Sequence, residues 1–209
     1  MRSQKAAWRC RLSLSPGPHR RHFLPTAALI VGLIASSTSA SFAQGAHDHI
    51  FLLRGAFNIF SLGMDEMAAK LQRPGVAITV ANYLSWQSLA DQAAAEYKSG
   101  RTRTIIIVGH SSGATAVTEM AARLGQVGVP VRLAIGLDPT SAMVASGHID
   151  RYINYFIANG MGNAVRPGPH FSGVVQNVDV EKNPALNHFN IDKNRALQDR
   201  VLREIRAAL

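Results

Sequence analysis

Apolar residues along the chain gather in short strand-like segments, and between these they recur at helical spacing. The strand-like segments are "IFLL" (50–53), "VAITV" (76–80), "TIIIV" (104–108), "VRLAIGL" (131–137) and "GVVQNVDV" (173–180). Runs as apolar as "TIIIV" suit parallel strands covered on both faces. Met64, Met67, Ala68 and Leu71 follow i, i+3, i+4, i+7 spacing, with Ser61 placed to cap that helix. Trp86, Leu89, Ala90, Ala93 and Tyr97 share a second face, with Ser85 as its cap and Gly100 at its end. The third helix, 113–124, is almost wholly small or apolar and should pack deeply. Leu197, Val201, Leu202, Ile205 and Leu209 form the stripe of a last helix, with Asn190 or Asp192 as its cap. Residues 139–170 are irregular in pattern, with one helix expected near Ile149–Ala158. The order βαβαβαβ(α)βα predicts a three-layer α/β/α sandwich around about five parallel strands.

Charge changes the picture mainly by its distribution. The 209 residues carry a formal +9, but residues 1–43 hold six of the 22 Lys and Arg and none of the 13 Asp and Glu. The remaining 16 basic and 13 acidic residues leave +3, which removes the case for nucleic acid as a partner. Residues 1–43 read as an export signal: a basic stretch ending at Arg21, the apolar run "FLPTAALIVGLIASS", then "STSASFAQ" with Ser41 and Ala43 at the −3 and −1 positions. The apolar run is shorter than the ~20 residues of a membrane span. Arg20-Arg21-x-Phe23-Leu24 resembles the twin-arginine export signal. Cleavage after Ala43 would remove Cys10, the only cysteine, and leave residues 44–209 in the periplasm or medium, with no stable membrane span. Within "AQGAHDH", His47 and His49 have the spacing of paired metal ligands, but the stretch reads as a flexible, solvated start.

The chemistry centres on Gly109-His110-Ser111-Ser112-Gly113, set directly between an apolar strand and a helix. Such a turn holds a serine hydroxyl above the sheet edge, beside the positive end of a helix. "VGHSSG", "GLDPT" and "NHFNID" together resemble the α/β-hydrolase family, particularly its small lipases, esterases and thioesterases, over most of residues 49–209. That resemblance implies a minimal α/β-hydrolase fold lacking the family's first two strands, with chain-order strands arranged 2-1-3-4-5. It makes Ser111 the nucleophile and His188, late in the chain, its base, with His148 and His170 as alternatives. Asp138, Asp150 and Asp179 all lie between serine and histidine; Asp138 is favoured because it ends an apolar strand, and Asp179 is its rival. The N–H groups of Ser112 and Ala56 are the expected oxyanion donors, with Phe57 next. Phe57, His110, Met143, Tyr152 and Phe156 are candidate pocket residues, and 139–170 is a candidate lid-like excursion. Cleavage of a small-molecule or lipid acyl ester is expected, with no metal or organic cofactor. Thioester cleavage, acyl transfer, or a binding protein on the same scaffold are the alternatives.

Overall fold

The computed structural model describes residues 45–209. The expected export signal, its paired arginines and Cys10 lie outside the described residues. Six strands form one parallel sheet in the order β2-β1-β3-β4-β5-β6. They are β1 (His47–Arg54), β2 (Val76–Asn82), β3 (Thr102–His110), β4 (Val131–Leu137), β5 (Met143–Phe156) and β6 (Val165–Asp179). The helices are α1 (Gly63–Leu71), α2 (Trp86–Lys98), α3 (Ser112–Gln126) and α4 (Arg195–Ala208). Among the described residues no helix is long and apolar enough to cross a membrane.

Alternation along β3 explains the three layers. Ile105 and Ile107 join Phe51, Leu89, Ala93, Val117, Met120 and Leu124 beneath α2 and α3. Ile106 and Val108 join Ile50, Leu52, Met64, Met67, Val201 and Ile205 beneath α1 and α4. Both faces are covered, so the strand needs apolar residues at successive positions.

The sheet has one strand more than expected, because the helix predicted near Ile149–Ala158 does not form. Residues 149–156 are the sheet-forming half of β5 and pair with β4 from Val131↔Ile149 to Leu137↔Tyr155. The first half of β5 replaces a crossover helix. It descends beside α3, from the level of Ser112 down to Gly147, where a Cβ on Gly125 would stand 2.6 Å from the Gly147 Cα. The chain reverses at Gly147 (φ 82°) and climbs as sheet. β6 repeats the device. Val165 is tied to the top of its own climbing half, its N–H 2.8 Å from Asn177 Oδ1, and the reversal falls at Gly173 (φ 131°). The segment 139–170 is therefore largely strand rather than a lid-like excursion.

The first strand begins earlier than its apolar run. His47, Asp48 and His49 belong to β1 rather than to a solvated tail, and Asp48 and His49 are buried. Burial is tolerable because each has a partner: Arg103 forks onto both Asp48 oxygens at 2.9 Å, and His49 lies between Glu96 and Thr79. The expected caps also differ. Ser61 and Ser85 make no side-chain capping bond, and Asn194 caps α4 by accepting from Leu197 N–H.

Candidate active site

Ser111 is the single residue between β3 and α3, and its backbone sits at φ 58°, ψ −124°. For a residue with a Cβ that conformation costs on the order of 1–3 kcal/mol. It is held by Ser111 N–H donating to Leu137 O at 2.9 Å and by Ala114 and Thr115 N–H donating to Ser111 O. The flanking glycines are steric necessities. A Cβ on Gly109 would lie 2.2 Å from Gly113 O, and one on Gly113 would lie 2.1 Å from Leu53 O. The helix start is thus seated on the backbones of β1 and β3, and α3's positive end faces the hydroxyl.

The structure brings Ser111, Asp138 and His188 together. Asp138 follows β4 directly, is fully buried, and takes φ 54°. Its Oδ1 accepts Ile157 N–H at 2.8 Å and its Oδ2 accepts His188 Nδ1–H at 2.6 Å. His188, in the turns before α4, then presents Nε2 3.0 Å from Ser111 Oγ. Room for the carboxylate depends on Gly162, where a Cβ would lie 1.8 Å from Asp138 Oδ1. The alternatives stand elsewhere. Asp179 accepts from Ala158 and Glu181 N–H, Asp150 pairs with Arg132 and His148, and His170 is exposed.

His110, a candidate pocket residue from the sequence, braces the site from behind. Its ring is buried, with Nε2 2.8 Å from the His188 carbonyl and Nδ1 2.8 Å from Ser61 Oγ. A carbonyl only accepts, so Nε2 carries the proton and Nδ1 accepts from the Ser61 hydroxyl. Ser61 Oγ in turn accepts Gly55 N–H at 2.9 Å. One chain of hydrogen bonds therefore joins the histidine loop, the elbow and the loop after β1. Burial holds His110 down to about 4, so the ring stays neutral at ordinary assay pH. His110→Phe keeps much of the volume and deletes both bonds. It should lower kcat by up to roughly 100-fold through a displaced His188, with a smaller change in KM. Equal loss in kcat and gain in KM, or no loss, would contradict a positioning role.

The N–H groups of Ala56 and Ser112 border the cleft beside Ser111 and, among the described residues, donate to no protein acceptor. The cleft holds about 340 Å³. Its polar floor is Ser111, His188 and His110. Its rim is apolar and open to solvent: Phe57 is 73% exposed, Phe189 54% and Met161 51%. Phe60 packs edge-on to both Phe57 and Phe189. Of the pocket residues expected from sequence, Phe57 and His110 line this cleft. Met143, Tyr152 and Phe156 do not. Met143 packs on the core beneath α3, Tyr152 is wholly buried with its hydroxyl 2.9 Å from Thr118 Oγ1, and Phe156 ends β5 away from the cleft lining. Phe60, Ser61, Thr140, Met161 and Phe189 were missed. The only signal for Ser61 and Phe60 was their place in "RGAFNIFS", just after the first strand.

Asp192 joins the histidine loop to α1 by accepting Gly63 N–H at 2.9 Å. Desolvation pushes its carboxyl up to about 6. Between the unfolded value of about 3.9 and this folded value, the folded chain binds the extra proton, so Asp192's contribution to stability falls as pH rises through that window. Asp192→Asn removes this dependence. Relative to wild type, its stability should gain about 2–3 kcal/mol between pH 4 and pH 7, measurable by denaturant unfolding at each pH. Parallel profiles for the two proteins would exclude a raised Asp192.

The parallel sheet, the serine elbow at the crossing of strand and helix, and the chain order Ser-Asp-His together give the chain an α/β-hydrolase fold. No protein-family model and no curated protein matches the sequence. Among solved structures it is similar to a protein of the α/β superfamily from Xanthomonas campestris, at 16% identity over 78% of this chain and all of that one, with a TM-score of 0.46. It is also similar to the RedJ thioesterase of the prodiginine pathway in Streptomyces coelicolor, at 13% identity over 78% of this chain and 86% of that one (TM-score 0.49). An acetylxylan esterase matches at 14% identity over 78% and 98% of the two chains (TM-score 0.47).

Proposed function

We propose that this protein is a serine hydrolase that cleaves carboxylic esters with an apolar acyl group. One observation carries the proposal: an unbroken line from Ser111 Oγ through His188 (3.0 Å) to the buried Asp138 (2.6 Å), starting at a strained serine. Ser111 Oγ attacks the acyl carbonyl carbon while His188 Nε2 takes its proton. The carbonyl oxygen gains charge and is met by Ser112 and Ala56 N–H at the helix end. His188 returns the proton to the leaving alcohol, leaving an acyl-enzyme. Water then repeats the sequence, with His188 as base. Asp138 fixes the imidazole tautomer and balances the charge on His188 during each transfer. The test is incubation with a fluorophosphonate, followed by mass spectrometry of the digest. A single adduct on Ser111 is expected, and a folded protein that takes up no label is no serine hydrolase.

The exposed aromatic rim favours apolar acyl groups. Each methylene it covers contributes up to ~0.8 kcal/mol, roughly fourfold in kcat/KM. Across p-nitrophenyl acetate, butyrate and hexanoate, kcat/KM should climb, and Phe57→Ala with Phe189→Ala should flatten the series. A wild-type enzyme that prefers acetate would remove the apolar specificity without touching the triad.

We also propose that it works outside the cytosol, on the strength of the pattern in residues 1–43 alone. Changing Arg20 and Arg21 together to Lys should retain it in the cytosol of a bacterial host. Unchanged delivery to the periplasm would rule out the twin-arginine route.

A further inference from the structure

At the opposite edge of the sheet, the amino ends of the strands carry a second polar cluster that the proposed reaction does not use. Residues two apart on a strand face the same way, so His47 and His49 both point to the α2 side. Glu96, in the last turn of α2, meets them there. One donor atom from each of the three lies within 4.8 Å of the others. His49 Nδ1 is 2.7 Å from Glu96 Oε2. The side chains of His49 and Glu96 are only 4% and 12% exposed.

Two features mark the cluster as more than a structural ion pair. The first is the setting of the His49 ring, whose Nδ1–H donates to Glu96 Oε2 and whose Nε2 lies 2.9 Å from Thr79 Oγ1. A cation takes the place of the proton between Nδ1 and the carboxylate, and the ring's remaining proton then sits on Nε2 and donates to the Thr79 hydroxyl, the second partner that metal-bound histidines ordinarily have. The second is Thr102, whose Oγ1 donates to Glu96 Oε2 at 3.3 Å and lies 3.1 Å from His47 Nε2, orienting both.

We propose that His47, His49 and Glu96 bind one divalent transition-metal ion of the zinc class. Two imidazoles and a carboxylate are a suitable donor set for such an ion, and three protein ligands leave a fourth position for water. Tetrahedral bonds of about 2.1 Å set donors roughly 3.4 Å apart. Rotation of His47, the least buried of the three, closes the remaining separation. The bound ion joins the start of β1 to the end of α2, and through Thr79 it also steadies β2. Ser111 lies at the other end of β3, on the order of 25–30 Å away at ~3.3 Å per residue, so the ion takes no part in ester cleavage.

The test uses the untagged full chain, stripped with a chelator and dialysed, and titrated calorimetrically with Zn²⁺. One ion per chain is expected. At a hundredfold excess of Zn²⁺ over Kd the unfolding midpoint should rise by roughly 5–10 °C. His47→Ala and Glu96→Gln, chosen because neither empties the core, should each weaken binding by about 100-fold or more while keeping the circular dichroism of the stripped protein. Co²⁺ should give the intense visible bands of a tetrahedral site in wild type and lose them in both variants. Absence of stoichiometric binding, or binding unchanged in both folded variants, overturns the proposal; in the second case the ion sits on other histidines.

Discussion

Replacing Ser111 with alanine should abolish fluorophosphonate labelling and lower ester turnover on the order of ten-thousand-fold or more. Among the described residues the Ser111 hydroxyl is the one hydrogen-bonded to His188 Nε2, at 3.0 Å, whereas Ser61 Oγ is committed to His110 and Gly55. What remains in the variant is the pair of N–H donors and the cleft itself, which leave a small residual rate. The fold should persist, because the bonds that fix residue 111 are made by its backbone. A companion variant separates chemistry from strain. Ser111→Gly is equally inactive, but glycine adopts φ 58° without the Cβ penalty. It should therefore be more stable than Ser111→Ala by on the order of 1 kcal/mol, read by denaturant unfolding. Labelling or near-normal turnover in either variant would place the nucleophile elsewhere.

The elbow was legible in the sequence because its context is local. An all-apolar strand, two small residues where backbones cross, and a serine between them leave little room for another geometry. The order Ser111, Asp138, His188 could be read for a similar reason: loops after strands in a parallel sheet return to one edge. The residues 149–156 were misread because β5 is covered on both faces. Ile149, Tyr152 and Ile153 are all buried, so the two-residue alternation of a strand vanishes and a helix-like spacing appears in its place. Polar residues misled in the other direction. "AHDH" looks solvated until Arg103 and Glu96, about fifty positions later, supply its partners. Capping failed likewise, since Ser61 and Asp192 were taken up by tertiary bonds to Gly55 and Gly63 that no local pattern reveals. The cleft walls came from Phe60, Met161 and Phe189 rather than Met143, Tyr152 and Phe156, because the reversals at Gly147 and Gly173 turn the chain in ways its composition does not announce.

Changing Asp138 to asparagine should cut kcat by about a thousand- to ten-thousand-fold, with a smaller change in KM. The reason lies in a neighbour that is not catalytic. Ile157 N–H can only donate, and it donates to Asp138 Oδ1 at 2.8 Å. In the variant the amide must turn its oxygen toward Ile157 to keep that buried bond. Its NH₂ then faces His188 Nδ1, where the carboxylate had accepted at 2.6 Å. An NH₂ group needs an acceptor, so His188 is driven to the tautomer with its proton on Nε2. That nitrogen is the one 3.0 Å from Ser111 Oγ, and once protonated it cannot receive the serine proton. The shape of the site survives while its base is lost. Asp179 makes no contact with His188; its Oδ1 accepts from Ala158 and Glu181 N–H. Asp179→Asn should therefore cost less than about tenfold, as for any group outside the reacting set. Steady-state kinetics on one p-nitrophenyl ester decides between them. If Asp179→Asn loses more turnover than Asp138→Asn, the acid belongs to the end of β6 and the geometry around Asp138 has been given the wrong role.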